Sequence, residues 1–195
     1  DEGHLLLANV IRRVIVAHLN LKHAVADMKF SPDGRWVAFG IGRFVQVWAT
    51  PVLERSFAPF ALHHTLGGHG EDVTCLCWSS DSLFIASGSR DLSVLVHSLH
   101  KIIGYTPATL SGHRSTVRAI FFDSARTTLY TISRDGALSV WELRDRPDAP
   151  PIKAAPASEG GGQGGDVLGK WWEVAARHYF EKDHAKVTSA ALHTP

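Results

Sequence analysis

The chain has 195 residues, of which 45% are hydrophobic, and its 20 basic and 19 acidic side chains give a formal net charge of +1. This balance argues against wholesale wrapping around a polyanion, although it leaves room for a local basic face. No apolar run approaches the roughly 20 residues that a membrane-spanning helix needs. The length allows one large domain or two small ones with a real hydrophobic core.

Three segments with the same pattern follow one another along the chain, at residues 25–48, 73–97 and 117–141. Each has an apolar alternating run, a turn, a second run, another turn and a third run. Their starting valines lie 48 and 44 residues apart, close to the ~40–45 residues of a propeller blade repeat. Alternation of period two between turn residues predicts short antiparallel strands.

A polar set recurs inside these units and resembles that of WD40 repeats, over most of residues 1–143. In WD40 blades a histidine, a strand hydroxyl, a turn aspartate and a tryptophan form a hydrogen-bonded chain. The matching residues are His113, Thr131, Asp135 and Trp141 in the third unit, and His69, Ser87 and Asp91 in the second, where His97 stands in the tryptophan slot. In the first unit we expect Ala38 and Gly42 to replace the hydroxyl and the carboxylate, so that only Trp48 remains.

A histidine, a hydroxyl and an aspartate are also the components of a hydrolase triad. A triad requires one such set in one cleft, whereas here the set recurs at the same offsets in two consecutive units. Buried carboxylates need donors, and a histidine N–H and a hydroxyl can supply them. We therefore predict a structural polar chain, with no catalytic residue and no cofactor.

The histidines and cysteines do not form a recognisable metal motif. Twelve histidines are present, with His63 and His64 adjacent on a predicted outer strand, but there is no H-E-x-x-H pattern and no Cys/His quartet. Cys75 and Cys77 are predicted to pack on one face of an innermost strand. Their spacing favours neither a disulfide nor a zinc site, and it indicates a reducing compartment.

The two ends of the chain look like parts of further blades. Residues 1–21 resemble the last part of an earlier blade, with Leu7 in the tryptophan slot, and residues 187–193 resemble the opening of another. The chain lacks an initial methionine and a signal-peptide pattern, so we interpret it as a piece of a longer protein. Since propellers have about 4–8 blades, these blades alone would not close a ring.

After Leu143 the period breaks, and residues 144–170 are rich in Pro, Ala and Gly. This composition predicts a flexible low-complexity insertion. Its end has the spacing of a phosphate-binding loop, from Gly164 to Lys170, but Trp171 stands where magnesium binding needs Ser or Thr. A glycine-rich linker also replaces the strand that should precede such a loop. Nucleotide binding is therefore not predicted.

Residues 171–186 have an apolar spacing typical of a short helix. Such a helix would pack against its own propeller or dock a partner protein through aromatic anchors. The candidate docking residues are Trp172, Tyr179 and Phe180. The predicted organisation is thus an all-β partial WD40 propeller over 1–143, with three nearly complete four-stranded blades and partial blades at both ends, then the insertion 144–170, the helix 171–186, and the start of a blade at 187–195.

The order of the less generic segments resembles the N-terminal propeller of the periodic tryptophan protein two family. The most particular match is a long insertion followed by a tail with Ala176-Arg177-His178-Tyr179-Phe180. The glycine-rich, neutral insertion departs from that family, in which it is often acidic. The resemblance implies a nucleolar, non-catalytic scaffold of the small-subunit processome, acting with other WD40 and helical subunits, pre-rRNA and a small nucleolar ribonucleoprotein in small-subunit rRNA processing.

Two other classes of function stay open at this stage. One is a general WD40 adaptor or substrate receptor that binds a peptide on the propeller top. The other is an enzyme, supported only by the imperfect phosphate-loop spacing and the many histidines. Arginines at predicted turns, namely Arg43, Arg90 and Arg134, could contact phosphate, although solvated surface arginines are more common.

Overall fold

The computed structural model describes residues 3–51, 60–100, 105–145, 170–179 and 190. All regular secondary structure in these ranges is β-strand. The strands are β1 (His4–Asn9), β2 (Val14–Asn20), β3 (Val25–Phe30), β4 (Trp36–Ile41), β5 (Phe44–Ala49), β6 (Ala61–Leu66), β7 (Val73–Trp78), β8 (Phe84–Ser89), β9 (Val94–Ser98), β10 (Ala108–Leu110), β11 (Val117–Phe122), β12 (Thr128–Ser133), β13 (Ala137–Asp145) and β14 (Lys170–Tyr179).

The strands form three four-stranded antiparallel sheets and one two-stranded sheet. We name the sheets blade 1 (β3–β6), blade 2 (β7–β10) and blade 3 (β11–β14). In each blade the strands lie in chain order, from an inner strand to an outer one. The all-β prediction of a partial WD40 propeller with three blades is therefore confirmed. No helix in the described residues is long and apolar enough to span a membrane.

The hydrophobic core lies between neighbouring sheets, where alternating strand residues of one blade face the next. One cluster joins blades 2 and 3 around Phe84, Val117 and Trp141. A second joins blades 1 and 2 around Val47, Val73 and Ile85, and a third packs blade 1 against the preceding strands. Because each sheet is buried on faces that its neighbours supply, a blade depends on adjacent blades for its core.

Glycines set the closest approach between blades. A Cβ built on Gly40 would lie 3.0 Å from Cγ1 of Val73, and one on Gly88 would lie 2.7 Å from Cγ1 of Val117. These valines begin the inner strand of the following blade. The hydrogen bond from the Thr74 hydroxyl to the Val117 carbonyl, at 2.5 Å, joins the same two inner strands.

The long insertion separates two strands of one blade. Strand β13 ends at Asp145, strand β14 begins at Lys170, and these two residues pair with each other in the ladder. The stretches 52–59 and 101–104 stand at the same point of blades 1 and 2, before the outer strands β6 and β10. All three therefore link a third strand to its outer strand. The predicted bounds of the insertion, 144–170, are wrong at both ends, because residues 144 and 145 belong to β13 and residue 170 to β14. Residues 146–169 lie outside the described residues.

The predicted helix over 171–186 is wrong for its first part, because residues 170–179 form strand β14. This strand pairs with β13 along its whole length and has a bulge at Ala175, where the register shifts between Val140 and Trp141. The extra residue interrupts the alternation of side chains, so that Trp172 and Val174 share a face with Arg177 and Tyr179. Because the bulge adds one residue to the two-residue alternation, the apolar residues have a spacing in the sequence that resembles that of a helix.

The β1–β2 pair agrees with the outer half of a preceding blade. Its bulge falls between Leu7 and Ala8, as the bulges of the outer pairs in blades 1 and 3 fall just before Trp48 and Trp141. By this register Ala8 takes the tryptophan slot, and the assignment of that slot to Leu7 is wrong. The predicted opening of a further blade at 187–193 lies outside the described residues, apart from residue 190.

The variant Gly88→Ala should destabilise the junction between blades 2 and 3. Its new Cβ would lie 2.7 Å from Val117 and 2.8 Å from the Cys75 sulfur, and overpacking of this kind costs typically 1–3 kcal/mol. The measurement is the free energy of unfolding in urea. Gly70→Ala is the control, since its Cβ would make an ordinary 3.8 Å contact with Asp91. Equal stability of the two variants would contradict this account of the junction.

Candidate functional site

The polar chain of blade 2 is a continuous hydrogen-bonded network. His69 Nδ1 lies 3.1 Å from Oδ2 of Asp91, and its Nε2 lies 2.8 Å from the Ser87 hydroxyl. A carboxylate only accepts hydrogen bonds, so Nδ1 of His69 donates to Asp91, and Nε2 forms the second hydrogen bond with the Ser87 hydroxyl. The Gly70 N–H also donates to Oδ2 of Asp91, at 2.7 Å. The network therefore ties the loop before β7 to the turn after β8.

Asp91 is the anchor of this network. Its Oδ1 accepts from the backbone N–H of Ser93 at 2.9 Å and from the Ser93 hydroxyl at 2.6 Å. Burial would raise the pKa of Asp91, but the hydrogen bonds from Ser93 and Gly70, together with His69, lower that pKa to about 2. The side chain is therefore a fixed acceptor at neutral pH, rather than a proton donor.

The tryptophan slot of blade 2 contains His97, which pairs with Ile85 in the ladder as Trp141 pairs with Leu129. The side chain is buried. Burial, with the charge of His69 as a second cause, lowers the pKa of His97 to about 4. His97 is therefore a neutral ring at physiological pH, as the packing role of this slot requires.

Blade 3 contains the other part of the polar chain. The Trp141 indole N–H donates to the Thr131 hydroxyl oxygen at 2.9 Å, and this oxygen lies 3.0 Å from His113 Nε2. All three side chains are buried. Among the described residues, the Nδ1 atom of His113 is buried and has no hydrogen-bond partner.

The structure does not bring Asp135 to His113, as the sequence pattern had predicted. Asp135 is exposed and accepts a hydrogen bond from Ser133. A cation stands close to the histidine, because the Arg177 guanidinium from β14 lies against Gly112. Burial, followed by the charge of Arg177, lowers the pKa of His113, and Asp135 only partly opposes this shift. The Asp135 carboxylate is therefore not part of the hydrogen-bonded polar chain of blade 3.

Blade 1 replaces the polar chain with apolar packing, at positions that differ from the prediction. Val25 pairs with Ile41 as Val117 pairs with Ser133, so the hydroxyl position falls on Phe39 instead of Ala38. The turn after β4 is also one residue shorter than in blade 3, and it leaves no carboxylate position at Gly42. Leu21, in the histidine position, and Phe39 pack together in one cluster.

The histidines and hydroxyls of the two polar chains are too deeply buried for a substrate to reach them. The His69 side chain is 2% exposed, and Ser87 and Thr131 are fully buried. Burial raises the pKa of the Cys75 thiol to about 12 and raises that of Cys77, so neither is a thiolate nucleophile at neutral pH. In the described part of the chain, no group of three or more metal-binding side chains could hold a metal ion.

A pocket of about 590 Å³ lies between the turns of blades 1 and 2, at the end of the strands where Asp91 stands. Sequence reasoning missed it, because its residues come from separate loops. One wall contains Arg43, Phe44 and Gln46 of blade 1, and the facing wall contains Glu71, Asp72 and Arg90 of blade 2. Hydrogen bonds fix the second wall: Ser89 donates to the Glu71 carbonyl at 3.0 Å and Arg90 N–H to the Asp72 carbonyl at 3.0 Å.

The three candidate docking residues have different places. Trp172 packs against the core between blades 2 and 3 and meets Phe122 edge-on, with ring centroids 6.2 Å apart. The Trp172 ring is therefore largely engaged in packing within the protein. Tyr179 is 50% exposed at the end of β14, and Phe180 lies outside the described residues. The neighbouring Trp171, which the sequence pattern did not single out for docking, is 46% exposed.

Inter-blade cores, repeated four-stranded sheets and histidine–hydroxyl chains together define a class of protein, the WD40 propeller. The family described as "WD domain, G-beta repeat" matches residues 10–48, 60–98 and 104–142. The chain belongs to this family.

Comparison with individual proteins gives a closer relationship. The chain is 37% identical to the "Periodic tryptophan protein 2 homolog" of Schizosaccharomyces pombe over 99% of its own length and 22% of that protein. It is 36% identical to "Periodic tryptophan protein 2" of Saccharomyces cerevisiae and to the Neurospora crassa homolog, in each case over 99% of this chain and 21% of the relative. The chain therefore spans about a fifth of the length of these relatives.

Asp91→Ala and Asp135→Ala should differ in their effect on stability, although the two aspartates occupy the same place in the repeat. Removing Asp91 leaves the His69 and Gly70 donors without their acceptor, which costs on the order of 1–3 kcal/mol. Removing the exposed Asp135 should cost less than about 0.5 kcal/mol. Urea unfolding of both variants measures the difference.

The stability difference between the parent chain and Asp91→Ala should also depend on pH. Folding lowers the pKa of Asp91 from 3.8 to about 2, so its contribution is present above about pH 4 and is lost as the pH falls toward 2. The difference should therefore shrink over this range. A difference that is constant between pH 6 and pH 2.5, or equal losses from both aspartates, would contradict the assigned network.

Proposed function

We propose that this chain is part of a non-catalytic scaffold that organises pre-rRNA and partner proteins in the nucleolar small-subunit processome, for maturation of small-subunit rRNA. The observation that supports it is identity of 36–37% to periodic tryptophan proteins 2 over nearly the whole chain. That similarity includes residues after 142, beyond the three WD repeat matches. A likeness limited to generic repeat positions would favour no particular WD40 protein.

The architecture supports a scaffold in physical terms. Adjacent blades share buried cores and inner-strand hydrogen bonds, so neighbouring loops are held at fixed relative positions. The turns that follow β3, β7 and β11 lie at one end of the strands, and the turns that follow β4, β8 and β12 lie at the other end and form a second surface. A rigid body with loops at both ends can hold several partners at once without performing a reaction on any of them.

Transfer of this segment into a relative tests the proposal. In fission yeast, the matched segment of the periodic tryptophan protein 2 homolog is replaced by this chain, and the endogenous protein is depleted. We expect the chimera to restore mature small-subunit rRNA and nucleolar localisation, measured by RNA blot and microscopy. A chimera with Gly88→Ala should restore them less well, because its blade junction is strained.

A well-folded chimera that assembles with its partners but leaves small-subunit rRNA unprocessed would contradict the proposal for this chain. Normal rRNA processing after depletion of the native protein that contains this chain, in its own cells, would contradict it directly. Protein abundance is measured in both cases, so that a loss of rRNA is compared at equal amounts of scaffold.

A second candidate function is a WD40 adaptor that binds a peptide, and the pocket between blades 1 and 2 favours it. Its volume of about 590 Å³ is within the usual size range of ligand sites. Asp72 lies 3.7 Å from Arg90, whereas Arg43 forms no ion pair with any described residue. Phe44 is 47% exposed. An acidic side chain next to an apolar one would complement Arg43 and Phe44.

Peptides selected on the full chain from a random display library test this second candidate. Acidic–apolar peptides should lose at least about tenfold in affinity with Arg43→Glu, because repulsion replaces a charge-assisted contact. Arg35→Glu, at the opposite end of β4, is the matched control and should bind as the parent chain does. Selection of no such peptide, or equal loss from both variants, would exclude this pocket as a peptide site.

A further inference from the structure

Three aromatic rings of blade 1 lie against one another at the protein surface: the Trp36 and His63 rings are stacked, and the His64 ring is tilted against His63. The ring centroids of Trp36 and His63 are 4.4 Å apart with an interplanar angle of 20°, and those of His63 and His64 are 4.1 Å apart at 45°. His63 is exposed, whereas Trp36 and His64 are half-buried. We name these three residues the ring stack. It lies at the opposite end of β4 from the pocket between blades 1 and 2.

The backbone creates this arrangement through a bulge in β6. Val47 pairs with His64 and Trp48 pairs with Leu62, so His63 is an extra residue in the ladder. Successive side chains of a regular strand point to opposite faces, but a bulge re-aims one of them. Two consecutive imidazoles can therefore lie against each other and against the first residue of β4.

Blade 3 has the same bulge without the rings. Aligning the ladders at Trp48 and Trp141 places Thr128, Ala175 and Ala176 at the positions of Trp36, His63 and His64. The blade fold therefore accepts small side chains at all three positions. Blade 2 has the core residue Phe84 at the position of Trp36, and Trp36 itself packs against the core between blades 1 and 2. Packing therefore accounts for the tryptophan, but the comparison with blade 3 gives no packing reason for the two histidines.

The exposed ring of the stack is His63, and an exposed arginine, Arg35, precedes Trp36 in the sequence. Burial, then the charges of His64 and His100, lowers the pKa of His63, so this ring is uncharged at neutral pH. The side chain of Arg35, which precedes Trp36, is 79% exposed and lies 4.0 Å from the partly exposed Asp33 carboxylate. This is a long contact for an ion pair, and it leaves the guanidinium able to reach a second anion.

We propose that the ring stack, together with Arg35, is a binding site for single-stranded RNA. A nucleobase would pack on the exposed His63 ring, and an adjacent phosphate would meet the Arg35 guanidinium. Stacking of a base on an exposed ring, with an arginine for its phosphate, is how proteins recognise single-stranded RNA. The inference rests on the proposed ribonucleoprotein scaffold and identifies one RNA-contacting surface of it.

Fluorescence anisotropy with labelled ten-nucleotide oligouridine and oligoadenine, at fixed salt, tests binding to the full chain. The double variant His63→Ala/His64→Ala introduces the side chains that blade 3 has at these positions, so the fold should be retained. Because stacking contributes about 1–3 kcal/mol per base, we expect at least about a fivefold loss of affinity for both RNAs. Arg35→Ala should weaken binding and reduce its dependence on salt by about one phosphate contact.

Two further variants make the result specific. His63→Tyr keeps a stacking ring and should retain most of the affinity, whereas His18→Ala removes an exposed histidine from the outer strand β2 and should have no effect. Circular dichroism and urea unfolding establish that each variant is folded. Undetectable RNA binding by the parent chain, or equal binding by the parent and the double variant, would overturn the proposal.

The fission yeast chimera distinguishes failure of the RNA-site proposal from failure of the scaffold proposal. If the double variant restores small-subunit rRNA and binds RNA normally, the ring stack is not the RNA site, although the scaffold proposal stands. If the parent chimera itself cannot restore rRNA, the scaffold proposal fails, whatever the anisotropy result. RNA cross-linked to β6 in the parent chain and lost in the double variant would support the site directly.

Discussion

The pairing of each outer strand with a preceding sheet is the constraint on which this structure depends. The WD repeat matches begin before β2, β6 and β10 and end near the close of β5, β9 and β13. One sequence repeat thus supplies the outer strand of one blade and the three inner strands of the next. Backbone hydrogen bonds connect each repeat to its neighbour, in addition to the buried core between the sheets. The residues between β13 and β14 therefore interrupt blade 3. The two strands on either side of this insertion pair with each other.

Given that constraint, the polar chain varies considerably from blade to blade. Blade 2 joins Asp91, His69 and Ser87 by hydrogen bonds but has a neutral histidine in the tryptophan slot. Blade 3 joins Trp141, Thr131 and His113 but leaves Asp135 exposed to solvent. Blade 1 uses apolar side chains at these positions. A buried polar group is costly only when it lacks a partner, so a wholly apolar set can replace a satisfied network. The half-satisfied arrangement is that of blade 3, where His113 Nδ1 is buried without a partner among the described residues. Arg177 next to it comes from β14, so the outer strand contributes to this local electrostatic balance.

The features that recur in every repeat could be predicted from the sequence. The predictions were wrong where a bulge or a shorter turn makes one repeat differ from the others. Alternation between turns was sufficient for the all-β fold and for the equivalence of Ser87 with Thr131. The bulge at Ala175 concealed β14, because one added residue turns a period of two into a spacing that resembles a helix. The shorter turn after β4 shifted the assignment in blade 1 from Phe39 to Ala38. The separation of Asp135 from His113 depends on side-chain orientation, and no spacing of residues reports it. The pocket between blades 1 and 2 and the ring stack join segments that are distant along the chain, although the adjacent pair His63-His64 was visible on its predicted strand.

Comparison among the blades separates the residues that build the fold from those that serve another purpose. Gly40 and Gly88 make the same close contact with the valine of the next blade, and repetition of this contact identifies it as architectural. Trp36 corresponds to the core residue Phe84 of blade 2, and Arg43 lies at the same turn as Arg134 of blade 3, whereas the exposed His63 corresponds to Ala175 in blade 3. Trp36 and Ile41 begin and end the same strand, roughly 17 Å apart at the usual rise per residue, so the ring stack and the pocket lie at opposite ends of blade 1. A sheet held rigidly by its neighbours on both faces can present two chemically different surfaces at its two ends. Two partners could then bind this blade at the same time, which is the physical requirement for a scaffold.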